Sequence, residues 1–528
     1  MKKNHSLIYL FLIINTRLVC AQFNQVVDLS HINGENGFII NGEQAYDFAK
    51  GKSAGDINND GIDDLIIGAS GSDVSFTNAG AAYVVYGSQS GFPTNYSLSD
   101  INGNNGFIMY GNNPGECFGN SVSGGIDVNN DGIDDMIVSA FECAFDGNNF
   151  VGSSYVIFGR DGNFPAEVDV SALNGTNGFV IRGISFTDRA GFAVKLIDDF
   201  NGDGIGEIMV TTPDTDINGF NSGSVYMLFG NDTGFPAILN LASLNGTNGF
   251  AVHGKLVDDN LGEYVSAGDI NNDGLSDLII SGKEPYNFLT NTFGTTYVIY
   301  GNDQNTAGVF DLNSIDGLNG FSIIGINDIG STDRLDWRIS SDAIDMNADG
   351  IDDLIISYPQ ASEIESKAGV TYVVYGSTQT IPTEFDLNSI DGTNGFVIKG
   401  SREFERLGFH QSPAGDINHD GFGDLLLSSY QFTGSNESII TSYVIFADPS
   451  GFAVNFDPET LDGNNGFKIK SIDGSFDYTI PVNLSNAGDI NADGVDDLMT
   501  ANYQGVAGTS VNYIVYGRGD LIYQNGFE

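Results

Sequence analysis

A nine-residue phrase that occurs seven times constrains the fold of this chain more than any other feature of the sequence. The phrase, Asp-x-Asn-x-Asp-Gly-x-x-Asp/Glu, recurs every 70 to 76 residues. An apolar run that begins with tyrosine and the tripeptide Asn-Gly-Phe recur in step with it. Repeats of this length are typical of chains that stack one supersecondary unit many times. The seven copies begin at Asp56, Asp127, Asp199, Asp269, Asp345, Asp416 and Asp489.

Each repeat contains four short apolar runs, which in the first repeat span 47–54, 65–68, 82–86 and 107–110. The runs are rich in β-branched and aromatic residues and are bounded by Gly, Asn and Asp, a composition typical of β-strands. The 70 glycines of the chain agree with many tight turns. The runs are almost continuously apolar, which predicts sheets that are covered on both faces.

We therefore predict an all-β fold, a seven-bladed β-propeller of four-stranded antiparallel blades. One repeat cannot bury both of its faces alone, whereas a closed ring leaves no blade uncovered. The last repeat is too short to hold a fourth strand, and a spare Asn36-Gly37-Phe38 phrase precedes the first repeat. We predict that this N-terminal strand completes the last blade and closes the ring.

The first 21 residues have the build of a secretory signal peptide, with two lysines, an apolar run over 6–14 and a small-residue end. That run is too short for a membrane span, which needs about 20 residues. We predict a signal peptide at 1–21, a propeller at 22–528, and a secreted, extracellular or cell-surface protein. A lipoprotein site at Cys20 is an alternative that Arg17 and Val19 fit poorly. No other stretch could form an integral membrane segment of the mature chain.

Cys117 and Cys143 would be the two cysteines of the mature chain. They lie at the start of the first strand and just after the second strand of the second blade, where antiparallel strands bring their ends together. We predict a disulfide between them, because secreted chains favour such bonds. Two separate buried thiols are the alternative.

The charge of the chain excludes one class of partner. Its 69 acidic residues face 20 basic ones, and the net charge is −49. Such a polyanion is repelled by nucleic acid, so no nucleic-acid binding is expected. Many of the acids lie in the repeated phrase, which points to bound cations.

The repeated phrase has the pattern of a calcium-binding loop, with oxygen ligands at positions 1, 3, 5 and 9 and glycine at position 6. The carbonyl of position 7 would add a further oxygen. An EF-hand is an alternative, but its glutamate at position 12 is replaced by apolar residues or threonine within a strand. A metal-free acidic turn is another, although three clustered carboxylates repel one another without a cation. We predict about seven structural Ca²⁺ sites.

The predicted ligands are grouped by position in the phrase. They are Asp56, Asp127, Asp199, Asp269, Asp345, Asp416 and Asp489 at position 1; Asn58, Asn129, Asn201, Asn271, Asn347, Asn418 and Asn491 at position 3; Asp60, Asp131, Asp203, Asp273, Asp349, Asp420 and Asp493 at position 5; Ile62, Ile133, Ile205, Leu275, Ile351, Phe422 and Val495 at position 7; and Asp64, Asp135, Glu207, Asp277, Asp353, Asp424 and Asp497 at position 9.

The acidic loop followed by the apolar strand 64–70 resembles the FG-GAP repeat, the propeller type that includes the integrin α-chain head. The resemblance covers about 36–517. Of the two motifs that name this repeat, Phe-Gly occurs unchanged at Phe118-Gly119, whereas Gly-Ala-Pro is replaced by Gly68-Ala69-Ser70. The resemblance implies calcium in the loop between the first and second strands of a blade.

Strand parity places the acidic loops on one face of the ring, and loops of variable length, such as 71–80, 141–152 and 111–116, on the other. Variable loops on a rigid scaffold are where recognition usually occurs. We therefore expect a calcium-binding adhesion or binding module for a protein or glycan on that face, without catalysis.

The alternative is a secreted polysaccharide lyase or hydrolase that uses the central channel. A Gly-x-Ser-x-Gly motif around Ser53 precedes an acidic loop instead of a helix, so it does not indicate a nucleophile elbow. The irregular segment 334–338 is where catalytic residues would be sought. The Arg-Gly-Asp tripeptide at 518–520 is a weak signal.

Overall fold

The predicted all-β, seven-bladed propeller is confirmed by the structure. The computed structural model describes residues 23–45, 50–141, 151–185, 188–282, 295–302, 307–324, 340–432, 438–470, 484–503 and 509–518. Across these residues the chain forms 34 strands in seven sheets, with 3-10 turns as its helical elements. No helix of the described part has the length and apolarity needed to cross a bilayer.

The strands are numbered in chain order. They are β1 (Val26–Asp28), β2 (Gly37–Ala45), β3 (Lys50–Gly55), β4 (Asp64–Ala69), β5 (Ala81–Val85), β6 (Asn95–Ser97), β7 (Gly106–Tyr110), β8 (Phe118–Ile126), β9 (Asp135–Ala140), β10 (Ser153–Ile157), β11 (Gly178–Arg182), β12 (Val194–Ile197), β13 (Glu207–Thr212), β14 (Ser224–Leu228), β15 (Ile238–Asn240), β16 (Gly249–His253), β17 (Tyr264–Gly268), β18 (Asp277–Ser281), β19 (Thr295–Ile299), β20 (Val309–Phe310), β21 (Gly320–Ile324), β22 (Ser340–Ile344), β23 (Asp353–Tyr358), β24 (Val370–Val374), β25 (Glu384–Phe385), β26 (Gly395–Lys399), β27 (Gln411–Gly415), β28 (Asp424–Phe432), β29 (Ser438–Ile445), β30 (Asn455–Phe456), β31 (Gly466–Lys470), β32 (Leu484–Gly488), β33 (Asp497–Tyr503) and β34 (Thr509–Val515). The 3-10 turns are Leu29–His31, Leu98–Asp100, Val170–Ala172, Leu241–Ser243, Leu312–Ser314, Leu387–Ser389 and Pro458–Thr460.

Each blade is a sheet whose first strand lies innermost, beside the axis of the ring. The first blade has the order β3-β4-β5-β7, and the second has β8-β9-β10-β11. The innermost strands of the remaining five blades are β12, β17, β22, β27 and β32. The four main strands of a blade pair antiparallel, for example in the register Tyr83↔Ile67 and Tyr83↔Ile108.

The seventh blade combines the two ends of the described chain. Strand β2 pairs antiparallel with β34, with Phe38 opposite Ile514 and Ile40 opposite Asn512. Strands β32, β33, β34 and β2 thus form the four main strands of this blade. A seam between residues far apart in sequence therefore holds the first and last repeats together.

The connection between the third and fourth strands is more than the long turn expected from the sequence. Six of the seven sheets contain a short fifth strand that comes from outside the blade and pairs parallel with its fourth strand. For example, β15 lies in the connection of the third blade and pairs with β11, the fourth strand of the second blade. In the first blade the same place holds a bridge between Ile108 and Glu167. The 3-10 turn then leads back to the fourth strand. The reason is that the outer edge of each blade needs hydrogen-bond partners.

The Asn-Gly-Phe phrase closes this connection. Asn36 Oδ1 accepts a hydrogen bond of 3.0 Å from the Asn33 amide. Gly37 has a φ of +141°, and a Cβ there would lie 2.0 Å from the carbonyl oxygen of Ile514. Phe38 is fully buried and stacks on Phe92 with ring centroids 4.1 Å apart. The phrase therefore combines a turn, a close backbone approach and an anchor in the core.

The core lies between adjacent blades and not at the axis. Ile66 and Val84 of the first blade share one apolar cluster with Met136 and Val138 of the second. Apolar side chains thus fill the space between sheets, as both faces of each blade require. The axis is left to the innermost strands and their polar side chains.

Candidate metal centres and the central channel

The seven acidic loops join the first and second strands of the seven blades and share one backbone conformation. In the first loop Asn59 has a φ of 57° and Gly61 a φ of 87°. A Cβ at Gly61 would meet nothing within 4 Å, so its conformation, and not lack of space, favours glycine. The fifth and seventh loops put alanine at position 4 in the same left-handed conformation.

Hydrogen bonds within each loop hold its side-chain oxygens in place. The Asp56 carboxylate accepts from the amides of Asp60 and Gly61, at 2.9 and 2.7 Å. Asn58 Oδ1 accepts from the Asp60 amide at 2.9 Å, and Asp60 Oδ1 accepts from the Ile62 amide at 3.1 Å. The side chains at positions 1, 3 and 5 are therefore held by amides of their own loop, and their binding of a cation stays a prediction.

The carboxyl group at position 9 lies deeper than the other three. Asp135 is fully buried, and its two oxygens accept 2.9 Å hydrogen bonds from the amides of Gly159 and Val128. Burial nevertheless raises the pKa of the Asp135 carboxyl to about 8, and Asp127 and Asp131 raise it further. All seven position-9 residues are fully buried with raised pKa values: Asp64, Asp135, Glu207, Asp277, Asp353, Asp424 and Asp497.

The third loop brings its acids closest together. Asp199, Asp203 and Glu207 each offer an oxygen that lies within 4.8 Å of the other two, and they are the one such group in the described part of the chain. Glutamate is one methylene longer than the aspartate at this position in the other loops. Burial raises the pKa of the Glu207 carboxyl to about 9, with the negative charges of Asp199 and Asp203 adding to the shift.

These loops fit a hard divalent cation. Their donors are all oxygens, without histidine or cysteine, which suits Ca²⁺ and disfavours zinc. In the seventh loop Asp497 Oδ2 is buried and has no hydrogen-bond partner among the described residues. Burial raises the pKa of Asp497 well above its usual value, beside Asp493 and Asp489. A cation at this place would satisfy the oxygen and favour its ionised form.

Position 8 of the loop has a role that the sequence analysis did not assign. Asp134 Oδ2 accepts a 2.9 Å hydrogen bond from the Asp56 amide of the neighbouring blade. Equivalent bonds of 2.9, 2.9 and 2.8 Å join Asp352 to Asp269, Asp63 to Asp489 and Asp496 to Asp416. The signal in the sequence is an aspartate at position 8 in four of seven copies. These bonds connect successive loops around the ring.

The axis of the propeller holds a channel with a volume of about 620 Å³. All seven innermost strands contribute lining residues, and the mouth on the acidic-loop face is lined by acids such as Asp199 and Asp269. Deeper in the channel lie the side chains of Lys52, Lys195 and Asp342. Five aspartates, Asp198, Asp199, Asp269, Asp342 and Asp352, line the same channel as the two lysines, so the charge of its lining is net acidic.

Two contacts organise these charges. Lys195 Nζ donates to Ser266 Oγ at 2.7 Å and lies 3.5 Å from Asp342 Oδ1. Lys52 has no carboxylate within ion-pair distance in the described part of the chain. Its side chain is open to channel water but enclosed by the walls, and this enclosure, together with the charge of Lys195, lowers its pKa to about 8.

Other candidates from the sequence fall partly outside the described residues. Ser53 lies in β3, where its Oγ accepts from the Gly55 amide at 3.1 Å. Cys117 is buried and disulfide-bonded, whereas its predicted partner Cys143 lies outside the described residues. The same is true of the signal segment 1–21, of 334–338 and of 519–520.

The face opposite the acidic loops carries exposed apolar side chains. Phe76 and Phe220, in the loops after the second strands of the first and third blades, are 50% and 64% exposed. Most of the variable loop 141–152 lies outside the described residues. Recognition of a protein or glycan by this face stays a prediction.

Comparison with known proteins supports the repeat assignment. A family model for the FG-GAP repeat matches residues 53–85, which span β4, the first acidic loop and β5. Together with the seven-bladed architecture, this match confirms the predicted resemblance to FG-GAP propellers of the integrin α-chain type.

Several curated relatives share one activity in their names. Phosphatidylinositol-glycan-specific phospholipase D of Dictyostelium discoideum is 24% identical over 345 residues, which is 62% of this chain and 33% of that relative. The Mus musculus protein of the same name is 28% identical over 219 residues, 40% of this chain and 23% of the relative. That of Rattus norvegicus is 30% identical over 161 residues, 30% of this chain and 18% of the relative. The chain thus spans a third or less of these relatives.

This finding corrects one expectation from the sequence. The chain was expected to be non-catalytic because its repeats contain no cluster of catalytic residue types that sequence alone could single out. The relatives that it matches are named as enzymes, so the prediction of a non-enzyme is wrong. Sequence reasoning failed here because the repeat encodes the scaffold, whereas chemistry depends on few residues that do not repeat.

Proposed function

We propose that this chain, an FG-GAP repeat propeller, acts as a hydrolase of the phospholipase D type on glycosylated phosphatidylinositol. The observation that carries the proposal is the similarity to enzymes of this one activity in organisms as distant as an amoeba and two rodents. In such a reaction water adds at phosphorus, and the bond from phosphorus to the inositol oxygen breaks. The products are phosphatidic acid and the free inositol glycan, whose oxygen receives the proton.

The central channel is the candidate site for the headgroup. Its volume of about 620 Å³ lies within the range of small-ligand sites. Its walls carry Lys52 and Lys195 among five aspartates, together with serine hydroxyls that would donate hydrogen bonds to a sugar and accept them from it. The similarity to these relatives favours the predicted hydrolase alternative over an adhesion role.

We further propose that calcium stabilises the ring. The support is the shared hydrogen-bonded conformation of the loops, the convergence of Asp199, Asp203 and Glu207 in the third loop, the buried position-9 carboxyls with raised pKa values, and the buried Asp497 Oδ2, which has no hydrogen-bond partner among the described residues. When bound, calcium would supply the positive charge that holds these acids together. The calcium-bound loops would then lie on one face of the ring and keep adjacent blades in register.

The calcium proposal has a direct test. Metal-free protein should bind about seven calcium ions in a calorimetric titration, and the melting temperature should rise with free calcium. A stoichiometry near zero, or a melting temperature that does not change on chelation, would contradict it. Magnesium at the same concentration serves as the control, because its octahedral preference suits this irregular oxygen cage less well.

The enzymatic proposal is tested with the full, calcium-loaded chain. It is incubated with a glycosylphosphatidylinositol-anchored protein in detergent, and the lipid product is identified by mass spectrometry. We expect phosphatidic acid and an anchored protein that loses its lipid. Intact substrate after prolonged incubation, or diacylglycerol instead of phosphatidic acid, would refute a D-type hydrolysis. Heat-denatured chain is the blank.

Export from the cell forms a further part of the proposal. The signal-like segment at 1–21 and the disulfide-bonded Cys117 both suit an oxidising compartment. Cell fractionation that finds the chain in the medium or at the cell surface would support it, and recovery of the full-length chain in the cytosol would oppose it.

A further inference from the structure

The third blade exposes four large apolar side chains on the face opposite the acidic loops. Ile217 and Phe220 lie in the loop between β13 and β14 and are 52% and 64% exposed. Leu256 and Val257 lie in the loop between β16 and β17 and are 51% and 49% exposed. Contiguous apolar patches are uncommon on soluble proteins and usually mark interaction sites. We call these four residues the apolar patch.

The two loops lie side by side, so their apolar side chains belong to one surface. Asn218 Nδ2 donates a 2.8 Å hydrogen bond to the carbonyl oxygen of Gly254. A Cβ at Gly219 would lie 2.7 Å from Val257 Cγ2, so the valine side chain covers this glycine. Because such contacts hold both loops in place, a partner would meet a surface that is already formed, which lowers the entropic cost of binding.

The fifth blade shows that the fold does not require apolar residues at these places. In the third blade the amide of Asp258 donates to the carbonyl oxygen of Phe220 at 2.8 Å. The equivalent bond of the fifth blade joins the Phe404 amide to the Ser366 carbonyl oxygen, also at 2.8 Å. A serine therefore takes the place of the phenylalanine, and the arginine and glutamate at 402–403 take the places of the leucine and valine. The same loop geometry forms with polar side chains, so the apolar patch serves something other than the scaffold.

The surroundings of the apolar patch are acidic. Its two loops, 213–223 and 254–263, carry five acidic residues and one basic residue, Lys255. Asp216 and Asp258 are exposed, and each is next to a patch residue in the chain. Among the described residues neither of these two aspartates forms an ion pair. Their negative charges are therefore open to a partner that approaches the patch.

Charge selects the kind of partner. The net charge of −49 repels a second copy of this chain and an anionic lipid surface. A glycan would present mainly hydroxyl groups to side chains that form no hydrogen bonds. A protein segment whose apolar side chains are flanked by lysine or arginine matches both the patch and the carboxylates beside it.

We propose that the apolar patch of the third blade binds a basic, apolar segment of a partner protein. The apolar side chains would supply most of the affinity, and the aspartates would orient the segment and exclude acidic competitors. The inference does not depend on the proposed catalytic activity, because it rests on loops outside the central channel.

The experiment is a calorimetric titration of the calcium-loaded full chain at an ionic strength of about 0.15 M, which screens weak contacts between surface charges. The probe is a synthetic helical peptide with leucines on one face and lysines on its flanks, and we expect one peptide per chain. One control peptide has serine in place of leucine, and another has glutamate in place of lysine. Each control peptide should bind at least about tenfold more weakly.

Variants of the chain locate the site. Phe220→Ser and Leu256→Ser should each weaken binding of the leucine–lysine peptide about tenfold. Phe76→Ser is the matched control, because Phe76 is a 50% exposed phenylalanine on the same face of the first blade and should leave binding unchanged. Asp216→Asn combined with Asp258→Asn should make binding less sensitive to salt. A melting temperature equal to that of the parent chain shows that each variant is folded.

Several outcomes would overturn the inference. Binding of several peptides per chain that survives Phe220→Ser and Leu256→Ser would show attraction to the acidic surface in general. Equal weakening by Phe76→Ser, or equal binding of the peptide with serine in place of leucine, would remove the role of the patch. Phosphatidylcholine vesicles test a lipid as the occupant, and vesicle binding that both patch variants abolish, without peptide binding, would assign the patch to a membrane instead.

Discussion

Asp63 Oδ2 accepts a 2.9 Å hydrogen bond from the backbone amide of Asp489, a residue 426 positions later in the chain. This bond joins the first blade to the seventh at the level of the acidic loops. Strand β2 joins the same two regions at the outer side of the ring, through its pairing with β34. The junction between first and last repeats is therefore held at two separate places.

We expect Asp63→Ala to lower the free energy of unfolding by about 1–3 kcal/mol, because it leaves the Asp489 amide without its acceptor in a half-buried place. Ser276→Ala is the matched control, since Ser276 occupies the same loop position in the fourth repeat and its backbone amide makes the contact to Asp199. That control should change stability by less than about 0.5 kcal/mol. Chemical denaturation in calcium measures both, and equal effects would argue against the side-chain link.

Gly37→Ala should be among the most damaging small substitutions in the chain. Its φ of +141° and a Cβ position 2.0 Å from the Ile514 carbonyl oxygen leave no room in the β2–β34 pair. We expect a loss of about 3 kcal/mol or more. Gly91→Ala, with a φ of +73° and open space around its Cβ, should cost only about 1 kcal/mol. Thermal unfolding measures the stability loss of both variants. Similar losses would show that the positive φ, and not the close approach to the Ile514 carbonyl, determines the cost of the substitution.

Glu207→Gln should change stability in opposite directions with and without calcium. Burial raises the pKa of Glu207 to about 9, so near pH 7.5 the metal-free folded state must protonate a group that is ionised when unfolded. Glutamine removes that cost and should raise metal-free stability by on the order of 1–2 kcal/mol. In calcium the variant should bind one ion fewer and gain less stability. Unfolding with and without chelator measures both signs, and a variant less stable in both conditions would contradict the prediction.

The Lys52 ammonium should lose its proton at a lower pH than an ordinary lysine. The pKa of Lys52 is lowered to about 8 by enclosure and by the charges of Lys195 and Lys50, while Asp342 acts against the shift. A lysine with a lowered pKa loses its charge as the pH passes that value, so an NMR titration of lysine-labelled protein should show the Lys52 side-chain signal changing between roughly pH 7 and pH 9.5. The signal is assigned by its absence from Lys52→Arg, and a Lys52 signal that stays constant up to about pH 9.5 would contradict the prediction.

The acidic loops show which contacts can be predicted from a local sequence pattern and which cannot. Glycine at position 6 and side-chain oxygens at positions 1, 3 and 5 depend on contacts within a few residues, and Asp56, Asn58 and Asp60 are joined by hydrogen bonds within their own loop. Their role as calcium ligands stays a prediction. The role of position 8 could not be predicted from such local contacts. Asp134 acts on the amide of Asp56, which belongs to another blade, and such a contact exists only once the blades are arranged.

The sequence by itself determined the number of blades and the alternation of strands and acidic loops, because both follow from short periodic patterns of polarity and turn residues. Only the tertiary structure decided that Lys52 and Lys195, 143 positions apart, line one channel, and that in six of the seven sheets a short strand from outside the blade completes its edge. The physical reason is that ring geometry brings together residues that share no local pattern. Closure sets which side chains meet at the axis, and no single repeat carries that information.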